Sequence, residues 1–269
     1  MRVRAEKSLG QHFLTNPELL AKIAAASEAG PGDVVLEIGP GPGALTRALL
    51  DTGCTVVAIE RDERMLSGLE RQFAGRDFIV VSGDALEMDW HALVAPWQAL
   101  GRQWRVVGNI PYYITSPLLE KALTAPFPAS ITYLVQKEVA DRVVAPAGHD
   151  DYGALSIGIQ AVAEAHRGFV VGRGAFTPPP KVDSAVLHLV PRAVPRVAGA
   201  DVPAFRKLVT SHFSYRRKRM QRAMREALGV DAETAAHYLE AAGISPDVRP
   251  EVVGVEEWVR LLAVVSRES

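Results

Sequence analysis

The sequence predicts an α/β fold in which helices cover both faces of a mostly parallel sheet, followed by a small all-helical domain. Short β-branched apolar runs alternate with segments of helical spacing up to about residue 190. Beyond a proline-rich stretch, every pattern has helical spacing. We therefore expect a first domain over residues 1–190, a linker over residues 191–203 and a helical domain over residues 204–269.

Seven segments are predicted strands, because they are rich in Val and Ile and are often bounded by Gly, Asp or Asn. In chain order they are residues 33–38, 55–60, 77–83, 104–110, 131–136, 166–172 and 184–191. Helical spacing predicts helices within residues 43–53, 62–75, 116–127, 204–213, 216–228, 232–243 and 254–265. Parallel strands in such a fold end at one edge of the sheet, where ligands bind.

Composition narrows the class of protein. A 269-residue chain with 48% hydrophobic and 23% charged residues can bury a sizeable core, which excludes a disordered protein. The single cysteine, Cys54, excludes an intramolecular disulfide and a cysteine-based zinc site. No segment reaches the ~18 apolar residues of a membrane span, and the N-terminus has no apolar core of a signal peptide. We expect a cytoplasmic monomer that binds neither a membrane nor a metal.

The net charge of −1 conceals a basic segment. Residues 205–225 contain eight basic residues and no acidic one, which predicts a polyanionic partner on one face. The alternative is a solvated helix face. The candidate phosphate contacts are Arg216, Arg217, Lys218, Arg219 and Arg222. On a helix, Arg216, Arg219 and Arg222 would share a face while the other two turn aside.

A glycine-rich turn follows the first predicted strand. Gly39, Gly41 and Gly43 lie between that strand and the next helix, and glycine there lets the backbone adopt positive φ and approach a ligand closely. The pattern fits dinucleotide-dependent enzymes as well as enzymes that bind a methyl donor. It also fits a tight strand-to-helix turn that binds nothing.

Two carboxylates follow at the same edge of the predicted sheet. Glu60 ends the second strand, where a carboxylate can accept hydrogen bonds from both ribose hydroxyls. Asp84 follows the third strand and can accept one from an adenine amino group, or serve only as a helix N-cap. With the three glycines, these residues predict an adenosine-shaped pocket. No second phosphate-binding loop is apparent, which favours S-adenosylmethionine over NAD as the cofactor.

The fourth strand ends in Asn109, Ile110, Pro111 and Tyr112. An adenine amino group is a poor nucleophile because its lone pair is delocalised into the ring, so chemistry on it needs acceptors for both protons. The Asn109 oxygen and the Ile110 carbonyl are predicted acceptors, and Pro111 stiffens the chain between them and Tyr112. Tyr112 offers a face for the base, worth about 1–3 kcal/mol. The alternative is a proline-bent loop with core aromatic residues.

A second aromatic residue is expected on the other face of the base. Phe176 is the candidate, because three prolines follow it and fix the loop that leads into the last predicted strand. The alternative is that Phe176 belongs to the core of a stiff segment before that strand. The sequence alone leaves both interpretations open.

The motifs together resemble those of the ribosomal RNA adenine dimethyltransferases. The matching segments are KSLGQHFL, LEIGPGPGALT, AIERD, SGDAL, GNIPYYITSPLL and FTPPPKVDSAV, and the resemblance extends over about residues 7–225. It implies a Rossmann-like, S-adenosylmethionine-dependent methyltransferase domain. The implied reaction is transfer of two methyl groups to N6 of each of two adjacent adenosines in the 3′-terminal hairpin of 16S rRNA. The implied partner is this rRNA within a precursor of the small ribosomal subunit.

The resemblance also implies roles for single residues. Cofactor contacts are implied for Gln11, His12, Leu14, Gly39, Glu60, Asp84 and Asn109. Base contacts are implied for Asn109, Tyr112 and Phe176. Many members of the family have Asn at the position of His12, and histidine can also form a hydrogen bond there.

Other functions stay open on the sequence. A methyltransferase of the antibiotic-resistance type, acting on large-subunit rRNA, shares the fold and the motifs. A non-catalytic assembly or transcription factor could retain the fold, although the intact segment from Asn109 to Tyr112 argues against lost catalysis. A dinucleotide-dependent oxidoreductase is a third alternative, which a binding assay with S-adenosylmethionine and NAD would separate.

Overall fold

The computed structural model describes residue 6 and residues 10–268. Residues 1–5 and 7–9, which include the start of the KSLGQHFL segment, lie outside the described residues. Internal contacts divide the chain into two compact units. The first comprises residues 1–140 and 166–191, and the second comprises residues 141–165 and 192–269.

All seven predicted strands are found, and they form one sheet. The strands of the structure are β1 (Phe13–Leu14), β2 (Val34–Ile38), β3 (Thr55–Glu60), β4 (Phe78–Ser82), β5 (Trp104–Asn109), β6 (Ile131–Gln136), β7 (Ala163–Val171), β8 (Phe176–Thr177) and β9 (Ser184–Pro191). The sheet has the order β4-β3-β2-β5-β6-β9-β7. Neighbours from β4 to β6 are parallel, whereas β9 is antiparallel to β6. The two-residue strands β1 and β8 form a separate antiparallel pair.

The helices follow the predicted alternation and add to it. They are α1 (Pro17–Ala26), α2 (Ala44–Leu50), α3 (Glu63–Gln72), α4 (Trp90–Gln98), α5 (Thr115–Ala122), α6 (Lys137–Val144), α7 (Ala154–Gln160), α8 (Val202–Phe213), α9 (Met220–Leu228), α10 (Ala232–Ala242) and α11 (Val255–Glu268). Four of them, α1, α4, α6 and α7, were not predicted. Within residues 10–268, no helix combines the length and the apolar character that crossing a bilayer requires.

The strand order places a crevice at the centre of the sheet. The chain runs outward from β2 through β3 to β4, then returns to the other side of β2 as β5 and β6. Such a reversal leaves room for a ligand beyond the carboxyl ends of the strands. Strands β2 and β3 are buried along their whole length, as expected of parallel strands covered on both faces. The ends of β2, β3, β4 and β5 therefore position the candidate site.

The predicted domain boundaries require correction. Residues 141–165 group with the helical unit, because α7 packs against α8. The Tyr152 hydroxyl also donates a hydrogen bond to the Val253 carbonyl at 3.0 Å. The predicted linker is likewise part of this unit, since the Arg192 and Arg196 amides donate to carbonyls of residues 162 and 161, both at 2.9 Å.

The predicted helix over residues 216–228 also begins later than expected. Helix α9 starts at Met220, and Arg219 is its N-cap with extended backbone angles. Residues 214–217 form turns after α8. The basic side chains of residues 216–219 are therefore not arranged on a helix, and the expectation of a face shared by Arg216, Arg219 and Arg222 is wrong.

Candidate active site

The glycine turn after β2 has the backbone that the sequence predicts. Gly39, Gly41 and Gly43 have φ values of 68°, 55° and 81°. Gly43 is the N-cap of α2, and a Cβ there would lie 2.7 Å from a ring carbon of Phe73. Positive φ and this close approach together require glycine at position 43. A Cβ at Gly41 would lie 3.1 Å from the ring of Phe13, so β1 closes over the turn.

Glu60 connects the glycine turn to the end of β3. Its carboxylate accepts hydrogen bonds from the Gly41 amide at 2.9 Å and from the Asp62 amide at 2.8 Å. The residue is buried, which raises the pKa of its carboxyl, although these two hydrogen bonds act in the opposite direction. Each carboxylate oxygen has a second lone pair, so Glu60 can still accept hydrogen bonds from ligand hydroxyls.

Asp84 occupies the end of β4 and belongs to a fixed loop. Its carboxylate accepts from the Leu86 amide at 2.9 Å and pairs with Arg61 at 3.1 Å. The Lys121 ammonium of α5 donates to the carbonyls of Leu86 and Met88, both at 2.7 Å. This lysine therefore ties the Asp84 loop to the helix that follows the Asn109–Tyr112 segment. Charge-assisted hydrogen bonds of this kind are among the stronger ones in proteins.

Asn109 ends β5 with a defined amide orientation. Its Nδ2 donates to the His12 carbonyl at 2.9 Å. A carbonyl can only accept, so this contact assigns the amino group to the His12 side and leaves Oδ1 as the acceptor for a ligand. The next residue, Ile110, is 1% exposed and its amide donates to the Leu134 carbonyl at 3.1 Å. The residue that carries the second predicted acceptor is therefore anchored to β6 through its amide.

Tyr112 is half-buried beside this segment. Its hydroxyl forms a hydrogen bond with the Ser184 hydroxyl at 2.9 Å. Burial raises the pKa of the phenol, so Tyr112 is neutral at physiological pH. The ring stacks loosely on His12, with 6.0 Å between ring centroids and 27° between planes. Its orientation is thus fixed from two sides.

The N-terminal segment crosses the carboxyl ends of the strands. The Gln11 amide nitrogen donates to Asp62 at 3.1 Å, and His12 Nδ1 donates to the Pro178 carbonyl at 2.8 Å. Leu14 pairs with Phe176 through β1 and β8. These contacts place Gln11, His12 and Leu14 at one cavity with the strand-end residues.

One cavity collects most of the predicted site. The predicted residues that line it are Gln11, His12, Leu14, Gly39, Gly41, Glu60, Asp84, Asn109, Ile110, Pro111 and Tyr112. Gly43 does not line it and acts through the turn. Tyr113, Arg61 and Phe13 also line this cavity and were not predicted as site residues. Each directly follows a residue that was predicted or implied, and this adjacency was the available signal.

Phe176 is not among the residues that line the cavity. It is 3% exposed and packs in the hydrophobic core with Leu14, Phe73 and Val186. Leu14, its partner in the β1–β8 pair, forms the cavity wall. Leu14 therefore separates Phe176 from the cavity, which agrees with the alternative that Phe176 belongs to the core.

The charges of the cavity fit S-adenosylmethionine better than a dinucleotide. Glu60 and Asp84 contribute carboxylates, whereas Glu37 is a buried carboxyl that carries little charge at neutral pH. Among the described residues, Arg61 is the one Lys or Arg side chain of the lining, and it already pairs with Asp84. An acidic lining attracts a ligand with a sulfonium and an ammonium group and repels a pyrophosphate. Among the residues that the structure describes, no cluster of three metal-binding side chains is found.

Glu37 is a buried carboxyl at the floor of the site. It is 1% exposed, and the Thr46 hydroxyl donates to it at 2.6 Å. Burial raises its pKa to about 8, and the charge of Glu60 adds to the shift. The Glu37 side chain is therefore largely protonated at neutral pH.

We expect Glu37 to make stability depend on pH. From its ordinary value of 4.5 up to about 8, the folded state keeps a proton that the unfolded state has lost. The free energy of unfolding should therefore fall as pH rises through this window. Glu37→Gln cannot ionise, so the loss should be smaller. Urea unfolding of both proteins at about pH 5, 6.5 and 8.5 measures this, and parallel pH profiles would contradict it.

The basic segment of the second unit divides into paired and unpaired side chains. Arg216, Arg219 and Arg222 lie 3.6, 2.7 and 3.8 Å from the carboxylates of residues 251, 247 and 226. Arg217 and Lys218 are exposed, and neither has a carboxylate partner among the described residues. Of the five candidate phosphate contacts, Arg217 and Lys218, which were expected to turn aside, are therefore the two without a carboxylate partner.

Comparison with known proteins gives a consistent result. A family model described as ribosomal RNA adenine dimethylase matches residues 2–266. A Phenylobacterium zucineum protein named ribosomal RNA small subunit methyltransferase A is 46% identical, with 96% of this chain and 87% of the relative covered. A Caulobacter vibrioides protein of the same name is 45% identical, with 96% of each chain covered.

Solved structures agree with the fold. A dimethyladenosine transferase from Plasmodium falciparum superposes with a TM-score of 0.80 at 26% identity, covering 96% of this chain and 98% of that one. The 23S rRNA methyltransferase ErmE superposes with a TM-score of 0.70 at 30% identity, covering 94% and 99%. The predicted Rossmann-like α/β class with a helical C-terminal part is confirmed.

Proposed function

Because the chain belongs to the ribosomal RNA adenine dimethylase family, we propose that it dimethylates N6 of two adjacent adenosines in the 3′-terminal hairpin of 16S rRNA. The observation that carries this is Asn109, whose Oδ1 is left as an acceptor inside an acidic cavity. The 45–46% identical relatives carry the small-subunit name, whereas ErmE is 30% identical. This difference favours the small subunit over the large one.

The cavity residues have separable tasks in this reaction. When bound, S-adenosylmethionine supplies a methyl group on a positively charged sulfur. Glu60 would hold the ribose hydroxyls and Asp84 the adenine amino group of that cofactor. The residues proposed to complete its site are Gln11, His12, Leu14, Gly39, Gly41 and Asn109, with Gly43 shaping the turn.

The target amino group would be held by two acceptors. Asn109 Oδ1 and the Ile110 carbonyl accept its two N–H bonds, which localises the lone pair on N6 and makes it a better nucleophile. After the first methyl transfer N6 releases one proton to water, which leaves a single N–H. One acceptor therefore still orients the nitrogen for the second transfer. Pro111 and the anchored Ile110 amide fix the geometry in advance, and Tyr112 supports the face of the base.

Arg217 and Lys218, which have no carboxylate partner among the described residues, support the proposal that the basic segment contacts RNA. If Arg217 and Lys218 each neutralise one phosphate, the double change Arg217→Gln/Lys218→Gln should reduce the log–log salt slope of RNA binding by about 1.4–1.8. The matched triple change of Arg216, Arg219 and Arg222 to Gln should reduce it less per charge, because carboxylates already pair with these side chains. Binding titrations at several salt concentrations measure the slopes. An unchanged slope in the double variant would show that these two side chains are solvated and do not contact the RNA.

The wider setting is also part of the proposal. We infer a cytoplasmic protein that acts as a monomer, without a metal, on a precursor of the small ribosomal subunit. Supporting this, the relatives are named for small-subunit rRNA, and the lining of the cavity suits an organic cation.

One experiment tests the function directly. The protein is incubated with S-adenosylmethionine labelled in its methyl group and with immature small subunits, and modified nucleosides are then mapped. We expect dimethyladenosine at two adjacent positions near the 3′ end of 16S rRNA. Parallel reactions with large-subunit RNA test the antibiotic-resistance alternative. Label in large-subunit RNA, or binding to small subunits without transfer, would overturn the proposal.

A further inference from the structure

Tyr113 is an exposed aromatic side chain at the mouth of the cavity. It is 57% exposed and lines the cavity together with the Asn109–Tyr112 segment. Among the described residues, the other exposed large apolar side chains are aliphatic and none lines the cavity; they are Ile79, Leu100, Val170, Val182, Val190, Val194 and Val252. An isolated exposed aliphatic residue needs no explanation. An exposed tyrosine beside the hydrogen-bond acceptors of a base-modifying site does need an explanation.

The Tyr113 ring is held in place rather than hanging free. A Cβ at Gly10 would lie 3.3 Å from Tyr113 Cε1, so the ring lies against the backbone of Gly10. Tyr113 sits within the short 3₁₀ helix Tyr112–Ile114, which the hydrogen bond from the Ile114 amide to the Pro111 carbonyl closes at 3.2 Å. A tyrosine with two side-chain torsions therefore presents its surface at little further cost in entropy.

Tyr113 also lies next to the residues that are proposed to hold the target base. The second aromatic residue expected on the other face of that base, Phe176, is buried in the core instead. Tyr112 is half-buried and its hydroxyl is taken by Ser184, which suits the base that reaches Asn109. Tyr113, the next residue, is exposed at the rim of the cavity, where the RNA strand that carries the target base must pass. Bases of single-stranded or splayed RNA stack readily on such aromatic surfaces.

We propose that Tyr113 is an RNA-positioning residue that stacks on the nucleobase next to the adenosine being methylated. This inference rests on the proposed function and extends it from the target base to its neighbour. Two adjacent target adenosines fit the arrangement, because one occupies the acceptor site while the other lies on Tyr113. When the strand advances by one nucleotide, the two bases exchange roles.

Kinetics test the role. Tyr113→Leu keeps an apolar contact with Gly10 but removes the aromatic face, so KM for an rRNA hairpin should rise about 5- to 100-fold. The value of kcat and the affinity for S-adenosylmethionine should stay within a few-fold. Tyr113→Phe should restore the wild-type KM, and Leu100→Ala, which lies outside the cavity lining, should not change it. Equal KM values for wild type and Tyr113→Leu would overturn the proposal.

Fluorescence supplies a readout that needs no methyl transfer. The hairpin carries 2-aminopurine immediately 5′ or 3′ of the target adenosine. Stacking on Tyr113 should quench one of these probes in the wild type and in Tyr113→Phe, more strongly in Tyr113→Trp, and not in Tyr113→Leu. Quenching that is unchanged in Tyr113→Leu would overturn the stacking. A wild type that quenches without methylating would overturn the proposed function and leave the stacking supported.

Discussion

Asn109→Ala is expected to slow methyl transfer by at least about 10²–10³-fold, whereas the loss of its proposed cofactor contact should lower S-adenosylmethionine affinity only a few-fold. The side-chain oxygen acts on the target amino group, whose N–H bonds become better donors as N6 uses its lone pair. Its loss therefore removes stabilisation of the transition state more than of the bound ground state. Single-turnover rates on an rRNA hairpin and calorimetry with S-adenosylmethionine measure the two effects separately.

Asn109→Asp is the matched control. Aspartate keeps oxygen acceptors but cannot donate to the His12 carbonyl, which Asn109 Nδ2 does at 2.9 Å. If the acceptor is the essential group, Asn109→Asp should retain more activity than Asn109→Ala. If the contact with the N-terminal segment is essential, both variants should lose activity alike. Near-normal turnover in Asn109→Ala would remove this residue from the catalytic assignment.

The strands were predictable because their patterns are local. Runs such as residues 34–38 are β-branched and buried on both faces, and this composition is visible without tertiary information. Helix α4 was missed because it contains Pro96, and α7 because ALSIGIQ is short and mostly apolar and fits a strand equally well. Helix α1 did carry a signal, since Asn16 caps it and Pro17 opens it.

The domain boundary could not be predicted from local patterns. Residues 141–165 lie between two strands of the sheet in sequence, and only contacts with α8 and the Val253 carbonyl assign them to the helical unit. These contacts join residues far apart in the sequence, 101 positions in the case of Tyr152 and Val253. Proline content likewise indicated a linker at residues 191–203, where amides of Arg192 and Arg196 in fact pair with the end of the preceding helical segment.

The candidate site likewise contains residues that were predictable from the local sequence and residues that were not. Residues at strand ends, such as Glu60, Asp84 and Asn109, were placed correctly at one cavity because parallel strands share an edge. Phe176 lies on a separate two-residue strand whose pairing with Leu14 turns it into the core. No periodicity exists in so short an element. Tyr113 was overlooked because exposure, which marks it, is a property of the folded chain.

Glu60→Ala should weaken S-adenosylmethionine binding by about 1.5–3 kcal/mol, which is roughly ten- to a hundredfold. Two causes contribute. The ligand loses a ribose partner, and the amides of Gly41 and Asp62 lose the acceptor that holds the glycine turn to β3. Glu60→Gln retains one oxygen acceptor and should lie between wild type and alanine. Calorimetry measures the affinities, and thermal unfolding reports the loss of the two internal hydrogen bonds.

A cofactor analogue separates these two causes. With 2′-deoxy-S-adenosylmethionine, wild-type binding should already be weaker because one hydroxyl is absent. Glu60→Ala should then cost clearly less than it does with the natural cofactor, since the variant and the analogue remove the same contact. If Glu60→Ala lowers the affinity for both ligands by the same factor, Glu60 acts through the glycine turn alone. Unchanged affinity for the natural cofactor would contradict the pocket altogether, because the carboxylate that joins the ends of β2 and β3 would then contribute nothing to binding.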